Sequence, residues 1–328
     1  MKILITGVAG LLGSNFSRFL LQKGYSVSGV DNFSGGYKEF LPAHKKFSFY
    51  KRDLQEDALD NIFKKEKPNA VFHFAAYAAE GLSPFIRSFN YKNNLIASVN
   101  VINQCVKHEC KLIFTSSMAV YGAGKTPFTE KTPRAPIDPY GIAKATVEQD
   151  IKQAHNQFGL QYTIVRPHNV VGVYQNVWDK YRNVIGIFIR RALNKEPILI
   201  YGDGTQTRAF SDVAFYMSPF EKLIDNFNDE TFNIGADKFY SINHVAAMVQ
   251  VVSQRYGIET KIEHKEKREE VKHAFCDHKK AKKLLHFKDD TCLENLIIKM
   301  FEWVKSEPNR KVKKMKYEIE KGIYSYWK

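Results

Sequence analysis

Long apolar runs are missing from this 328-residue sequence. No stretch reaches the 18 or more apolar residues that a membrane-spanning helix needs, so no membrane span is expected. The opening run Met1-Lys2-Ile3-Leu4-Ile5-Thr6-Gly7 is too short for a secretory signal and has no small-residue cleavage site before its glycines. Cysteine is scarce: Cys105, Cys110, Cys276 and Cys292 include no C-x-x-C pair. That spacing suits neither zinc nor a disulfide framework, and reduced, mostly buried thiols in a cytoplasmic protein are expected. The histidines, among them His155, His168, His264, His273 and His278, show no H-E-x-x-H spacing, so no metal is expected. Acidic residues are outnumbered, 35 against 49 Lys and Arg, for a formal charge of +14. Much of the excess lies in Lys279–Lys283 and Arg310–Lys314. No helix-turn-helix, zinc-finger or RNP-like pattern accompanies it, which argues against nucleic acid and leaves an anionic small substrate compatible with the charge.

What is present is an alternation of short apolar runs and helical patterns over the first two-thirds, the mark of a parallel sheet covered by helices. Expected strands are Lys2–Thr6, Tyr25–Asp31, Phe47–Asp53, Ala70–Ala75, Lys111–Thr115 and Tyr162–Arg166. They are rich in Val, Ile and Phe without strict alternation, as strands buried on both faces are. Leu95, Val99, Ile102 and Val106 fall on one stripe of a long helix. From about Val170 the rhythm changes: Gly and Asp cluster at Tyr201-Gly202-Asp203-Gly204, a strand follows at Thr231–Ile234, and helical patterns cover Ile242–Tyr256 and Leu293–Lys305. The expected fold is α/β, a Rossmann-type doubly wound parallel sheet with a smaller α/β substrate-binding lobe. Residues 1–170 form the first domain, with returns from later chain, and residues 171–328 the lobe.

Directly after the first strand comes Gly7-Val8-Ala9-Gly10-Leu11-Leu12-Gly13, a G-x-x-G-x-x-G opening a helix. Glycines let the backbone turn tightly and approach a pyrophosphate, whose charge rests on the helix N-terminus. The second strand ends in Asp31, eighteen residues past Gly13, where a carboxylate accepts from the ribose hydroxyls and repels a 2′-phosphate, favouring NAD. Beyond the fifth strand stands Thr115-Ser116-Ser117, and further on Tyr140-Gly141-Ile142-Ala143-Lys144 opens a helix. A spacing of four puts phenol and ammonium on one helical face. A free tyrosine, with a pKa of about 10, is a poor base at neutral pH, but a nearby lysine cation and oxidised nicotinamide favour the phenolate. Ser117 is placed to orient the reacting carbinol.

With these motifs in this order, the chain resembles the extended short-chain dehydrogenase/reductases, specifically the NAD-dependent nucleotide-sugar epimerase/dehydratase family. The resemblance covers nearly the whole chain. It implies that Gly7, Gly10, Leu11, Leu12, Gly13, Asp31, Asn32, Ser34, Asp53, Leu54, Phe74, Ala75, Ala76, Asn94, Thr115 and His168 hold NAD together with Tyr140 and Lys144. It implies Ser117, Tyr140 and Lys144 as the catalytic triad. Asn169, Asn183, Arg208, Arg268, Glu270 and Ala274 then meet the substrate with Ser117, Arg208 clamping the diphosphate with its bidentate fork. The segment Glu270–Asp277 is similar to the family's stretch along C2 of the sugar, with Ala274 at the gating position or, one residue off, His273 or Phe275. UDP is favoured as the nucleotide and a homodimer is implied. Ala78 and Val171 depart from the family pattern, and Arg208-Ala209-Phe210-Ser211-Asp212-Val213 is about three residues shorter than its usual R-x-F-x-Y-I-x-D-V.

Within that family the residues after the serine separate the chemistries. Dehydratases place an Asp-Glu pair there, whereas this chain has Met118 and Ala119, which cannot move protons. Ser, Tyr and Lys suffice to take a hydride and a proton from a carbinol and return them. The resemblance therefore implies a 4-epimerase acting through a transient 4-keto sugar, on UDP-glucose or, since Ala274 is small, UDP-N-acetylglucosamine. A dehydrogenase or keto-reductase that releases NAD(H), or a silent NAD-binding regulator, are the alternatives.

Overall fold

A computed structural model describes residues 1–56, 59–268 and 271–327. The first half runs β1 (Lys2–Thr6), α1 (Leu11–Gln22), β2 (Ser26–Asp31), β3 (Phe47–Lys51), α2 (Asp60–Glu66), β4 (Ala70–His73), α3 (Arg87–Tyr91), α4 (Ala97–Lys107), β5 (Lys111–Thr115), α5 (Pro139–Phe158) and β6 (Tyr162–Pro167). The second runs β7 (Val170–Val171), α6 (Val184–Leu193), β8 (Ile198–Tyr201), β9 (Thr207–Ala209), β10 (Ser211–Asp212), α7 (Met217–Lys222), β11 (Glu230–Ile234), β12 (Phe239–Ser241), α8 (Ile242–Arg255), β13 (Ile262–Lys265), α9 (Lys279–Leu285) and α10 (Leu293–Ser306).

Seven strands form one parallel sheet in the order β11-β6-β5-β4-β1-β2-β3, a doubly wound Rossmann-type α/β arrangement with its switch point between β1 and β4. Successive apolar residues of a strand feed opposite faces. Ile3, Ile5, Phe72 and Val165 pack with Phe16, Leu20 and Phe220 on one side, while Leu4, Val71, Leu112 and Ile164 pack with Val101, Val147 and Ile151 on the other. A separate core joins α6, α8 and α10 through Ile185, Phe188, Val249, Ile297 and Met300. The strand at residues 230–234 leaves that second half and pairs in register with β6 at the sheet edge, Glu230 opposite Thr163.

Two expected strands are shorter than the apolar runs suggested. The third stops at Lys51 and the fourth at His73, because the chain turns away from the carboxyl ends to wall a crevice. The stripe Leu95–Val106 is also rotated. A π-helical turn over Lys92–Ile96 precedes α4, whose buried face is Ala97, Ser98, Val101, Ile102 and Cys105. Leu95 and Val106 flank this face, and Val99 is half-buried. Three cysteines are buried and Cys292 is exposed. Among the described residues, no helix is long and apolar enough to cross a membrane.

Candidate active site

The crevice at the switch point begins with glycines that admit no side chain. Gly7 has φ +71°, and a Cβ there would sit 2.7 Å from the Ala75 nitrogen. A Cβ on Gly13 would lie 2.2 Å from the Gly7 oxygen. Gly10 caps α1 with no side-chain hydrogen bond and no carboxylate in the first turn, leaving the helix end suited to an anion.

Asp31 closes β2. Its carboxylate accepts from the Ala9 amide at 3.0 Å and the Phe33 amide at 2.7 Å, while burial raises its pKa. Asn32 donates to Asp53 at 3.0 Å and accepts from the Ser34 amide at 2.8 Å. Gly7, Gly10, Asp31, Asn32, Ser34, Asp53, Leu54, Phe74, Ala75 and Ala76 line one continuous cavity, joined by Arg182. Leu11 and Leu12 are partly buried behind the glycine turn, against the core. Asn94 is fully buried and pins the loop after β4, accepting from the Tyr77 amide at 2.7 Å and donating to the Tyr77 carbonyl at 3.1 Å. Its amide is thus spent on positioning that loop. The hydroxyl oxygen of Thr115 is buried without a hydrogen-bond partner, an orphan that a ligand can satisfy.

Helix α5 is built to present Tyr140 and Lys144. Asp138 caps it by accepting from Gly141 at 3.0 Å, Pro139 occupies the first turn, and Gly159 ends it at φ +73°. Tyr140 is 5% exposed and lies close to Ser117, whose hydroxyl accepts from the Ala119 amide at 3.1 Å. Lys144 donates to the Thr115 carbonyl at 2.7 Å, over the ring of Phe114. Burial lowers its pKa to about 7. Tyr140 is likewise governed by burial, which, with Glu80, pushes the phenol well above its ordinary value against the opposing pull of Ser117 and Arg182. The lowering by Lys144 expected from the motif is therefore not expressed in this state.

One turn beyond Lys144, Glu148 is fully buried and takes Arg166 in a bidentate pair, at 2.8 and 2.5 Å, plus the Ser116 hydroxyl at 2.6 Å. Arg166 also donates to the Tyr121 oxygen at 2.6 Å, and Tyr121 to Asn233 of β11 at 2.7 Å. The end of β5, strands β6 and β11, and helix α5 thereby share one polar clamp.

The expected substrate residues come from separate segments of the second half of the chain. Asn169 has φ +43° and its carbonyl accepts from the Ser211 amide at 3.3 Å. Asn183 caps α6 and donates to the Val170 carbonyl at 3.2 Å. Arg208 donates to the Thr207 carbonyl at 2.8 Å and the Lys272 carbonyl at 3.3 Å. Despite its shortness, its segment runs smoothly from β9 into β10. Arg268 lies 4.5 Å over the Tyr201 ring, and Glu270 lies outside the described residues. Ala274 packs on the cluster of Met118, Val120, Tyr121 and Phe128, in which Met118 directly follows Ser117 in the chain. Its neighbours turn elsewhere: His273 bonds Thr207 at 2.9 Å and Phe275 stacks on Phe239. The imidazole of His168 faces His278, leaving only its backbone for a cofactor.

A family model described as the NAD dependent epimerase/dehydratase family matches residues 3–235. The chain belongs to that family. A "Putative UDP-glucose 4-epimerase" of Methanocaldococcus jannaschii is 30% identical over 93% of this chain and 98% of its own length. The solved UDP-glucose 4-epimerase of Thermotoga maritima, with UDP-glucose, superposes with a TM-score of 0.87 at 30% identity, covering 93% of this chain and 99% of that one. The UDP-N-acetylglucosamine 4-epimerase of Methanobrevibacter ruminantium M1, in complex with UDP-N-acetylmuramic acid, gives 0.84 at 30% identity over 93% and 98%. As a member of the epimerase/dehydratase family, the chain is an NAD-dependent enzyme of the isomerase type, and the glycine cradle, Asp31 and the orphaned Thr115 hydroxyl fit that cofactor.

Sequence reasoning missed Arg182, Glu80 and the aromatic end of the chain. Arg182 is aimed at the cofactor cavity by the buried Asp179, at 3.0 Å. Tyr326 stacks on Tyr201 with centroids 4.0 Å apart, and Trp327 packs against Phe85 and Tyr181. None of the three lies in a motif, and only convergence of distant segments reveals them.

Proposed function

We propose that this enzyme inverts C4 of a UDP-hexose, accepting both UDP-glucose and UDP-N-acetylglucosamine, and returns its cofactor unchanged. The observation that carries the reading is the composition of the reacting end: Ser117, Tyr140 and Lys144 converge there, while the adjoining Met118 and Ala119 offer no second acid and base for elimination. When bound, NAD supplies a reversible hydride acceptor. Tyr140 takes the carbinol proton and returns it, Ser117 holds the reacting oxygen by hydrogen bond, and Lys144 supplies positive charge from the end of β5. The two hydrogens leave and return within one turnover, so nothing is consumed.

Glu80, whose negative charge acts on Tyr140, favours a neutral sugar over a uronate. The small Ala274 beside the Met118 cluster leaves room for a 2-acetamido arm. The reading extends to a homodimer, for which the exposed Ile96, next to α4, and Ile142, on α5, are candidate contacts.

The test is to denature the purified protein, assay the supernatant for dinucleotide, and follow UDP- and GDP-sugars by NMR with no added cofactor. Bound NAD(H) with interconversion of C4 epimers is expected. Absence of bound dinucleotide, with activity that needs added NAD and accumulates NADH, would replace this reading by a dehydrogenase.

A further inference from the structure

Where β6 leaves the sheet, His168 meets two residues from more than a hundred positions later. Its Nε2 lies 3.0 Å from His278 Nε2, and the two rings meet edge to edge, 17° from parallel with centroids 5.1 Å apart. Cys276 Sγ completes the group, and the three donor atoms all lie within 4.8 Å of one another. The residues are 3%, 2% and 5% exposed, for His168, His278 and Cys276. Gly235 makes the space, since a Cβ there would strike His168 Nε2 at 2.2 Å.

Proton placement is the difficulty for two facing imidazoles. His278 Nδ1 lies 3.0 Å from Asp237 Oδ1, so in the neutral ring the carboxylate claims the Nδ1 proton and the Nε2 lone pair points at His168. If His168 donates from Nε2, its Nδ1 becomes a bare acceptor. That atom is buried and makes no hydrogen bond of ordinary geometry, with the Ala209 backbone alongside. A buried acceptor left this way is destabilising. With the proton moved to Nδ1, both Nε2 lone pairs face the gap between the rings, where a cation bridges them once the rings part slightly.

We propose that His168, Cys276 and His278 bind a zinc ion, with Asp237 behind His278 as the carboxylate that orients it. Two imidazoles and a thiolate suit borderline-soft zinc and not magnesium or calcium, which take oxygen ligands. Zinc bonds of about 2.05 Å to nitrogen at a tetrahedral angle need nitrogens about 3.3 Å apart, close to the separation already present. Binding expels the Cys276 thiol proton to solvent and involves no redox change. The carboxylate–histidine arrangement at Asp237 is the usual support of such a ligand. The ion touches no reacting atom. It clips the segment carrying Ala274 to the end of β6 beside Asn169, so its effect falls on the shape of the sugar side.

The experiment measures metal in protein purified without metal affinity resin or chelator, then titrates reduced apoprotein with zinc and, separately, cobalt. Expected are about one zinc per chain, a rise in thermal midpoint on adding zinc, and a near-ultraviolet thiolate-to-cobalt band. Cys276→Ser should abolish the band, and His278→Ala should abolish the zinc-dependent rise. The cobalt spectrum of the unmutated protein needs no variant to fold. An apoprotein that shows no thiolate band and no zinc-dependent rise overturns the proposal in favour of a shared proton between the two histidines. Metal retained in both variants overturns it equally, by placing the ion elsewhere.

Discussion

Lys144 donates its ammonium to the backbone carbonyl of Thr115 at 2.7 Å, tying the residue one turn beyond Tyr140 to the end of β5. Burial lowers its pKa to about 7, with Glu148 pulling the other way. In the unfolded chain the same group titrates near its ordinary value, so from pH 7 upward the unfolded state binds the extra proton. Stability should therefore rise between pH 7 and 9, by at most about 1.4 kcal/mol per unit from this group. Urea midpoints across that range should flatten in Lys144→Met, and an unchanged slope would contradict the assignment.

Tyr140→Phe removes one hydroxyl from a residue that is already 95% enclosed, so the fold should survive. Turnover should fall roughly 10²–10⁴-fold, the usual worth of a positioned acid–base group, with little change in substrate affinity. Steady-state kinetics alongside circular dichroism check this. Near-normal turnover would exclude the phenol as the base.

Ala274→Tyr should close the space beside Met118. Activity on UDP-N-acetylglucosamine should collapse while UDP-glucose continues to turn over, measured as kcat/KM on both. Equal losses would remove Ala274 from the sugar pocket.

Gly13→Ala forces a methyl to within 2.2 Å of a backbone oxygen and 2.6 Å of Val8 Cα, so α1 must move. The expected cost is about 1–3 kcal/mol, with loss of copurified dinucleotide. Gly10→Ala, whose Cβ would be 3.3 Å from the Gly7 oxygen, should be milder. A comparable effect of the two would contradict the crowding argument.

Local patterns carried much of this in the sequence. The strand–glycine–helix opening, Asp31 at the end of β2, and the Asp138-Pro139 start of the Tyr140 helix are each written within a few residues. What stayed hidden depends on convergence. Arg182 enters the cofactor cavity through Asp179, Tyr326 reaches Tyr201 from the far end of the chain, and His168 finds His278 through the return of a distant segment. At α4, Leu95, Ile102 and Val106 pack on the core as the stripe implies, but the centre of the buried face is Ser98, Val101 and Cys105, and the polar Ser98 hid it from an apolar pattern.

The clamp around Glu148 decides how this enzyme fails on heating. Glu148 and Tyr140, the proposed base, share one helix, and through Arg166, Ser116 and Tyr121 that helix is bound to the end of β5 and to β6 and β11. Local opening of the reacting end would strand a buried carboxylate and a guanidinium, which costs about as much as opening the whole domain. Inactivation and unfolding should then trace a single curve, with no interval of temperature in which the chain is folded but inert.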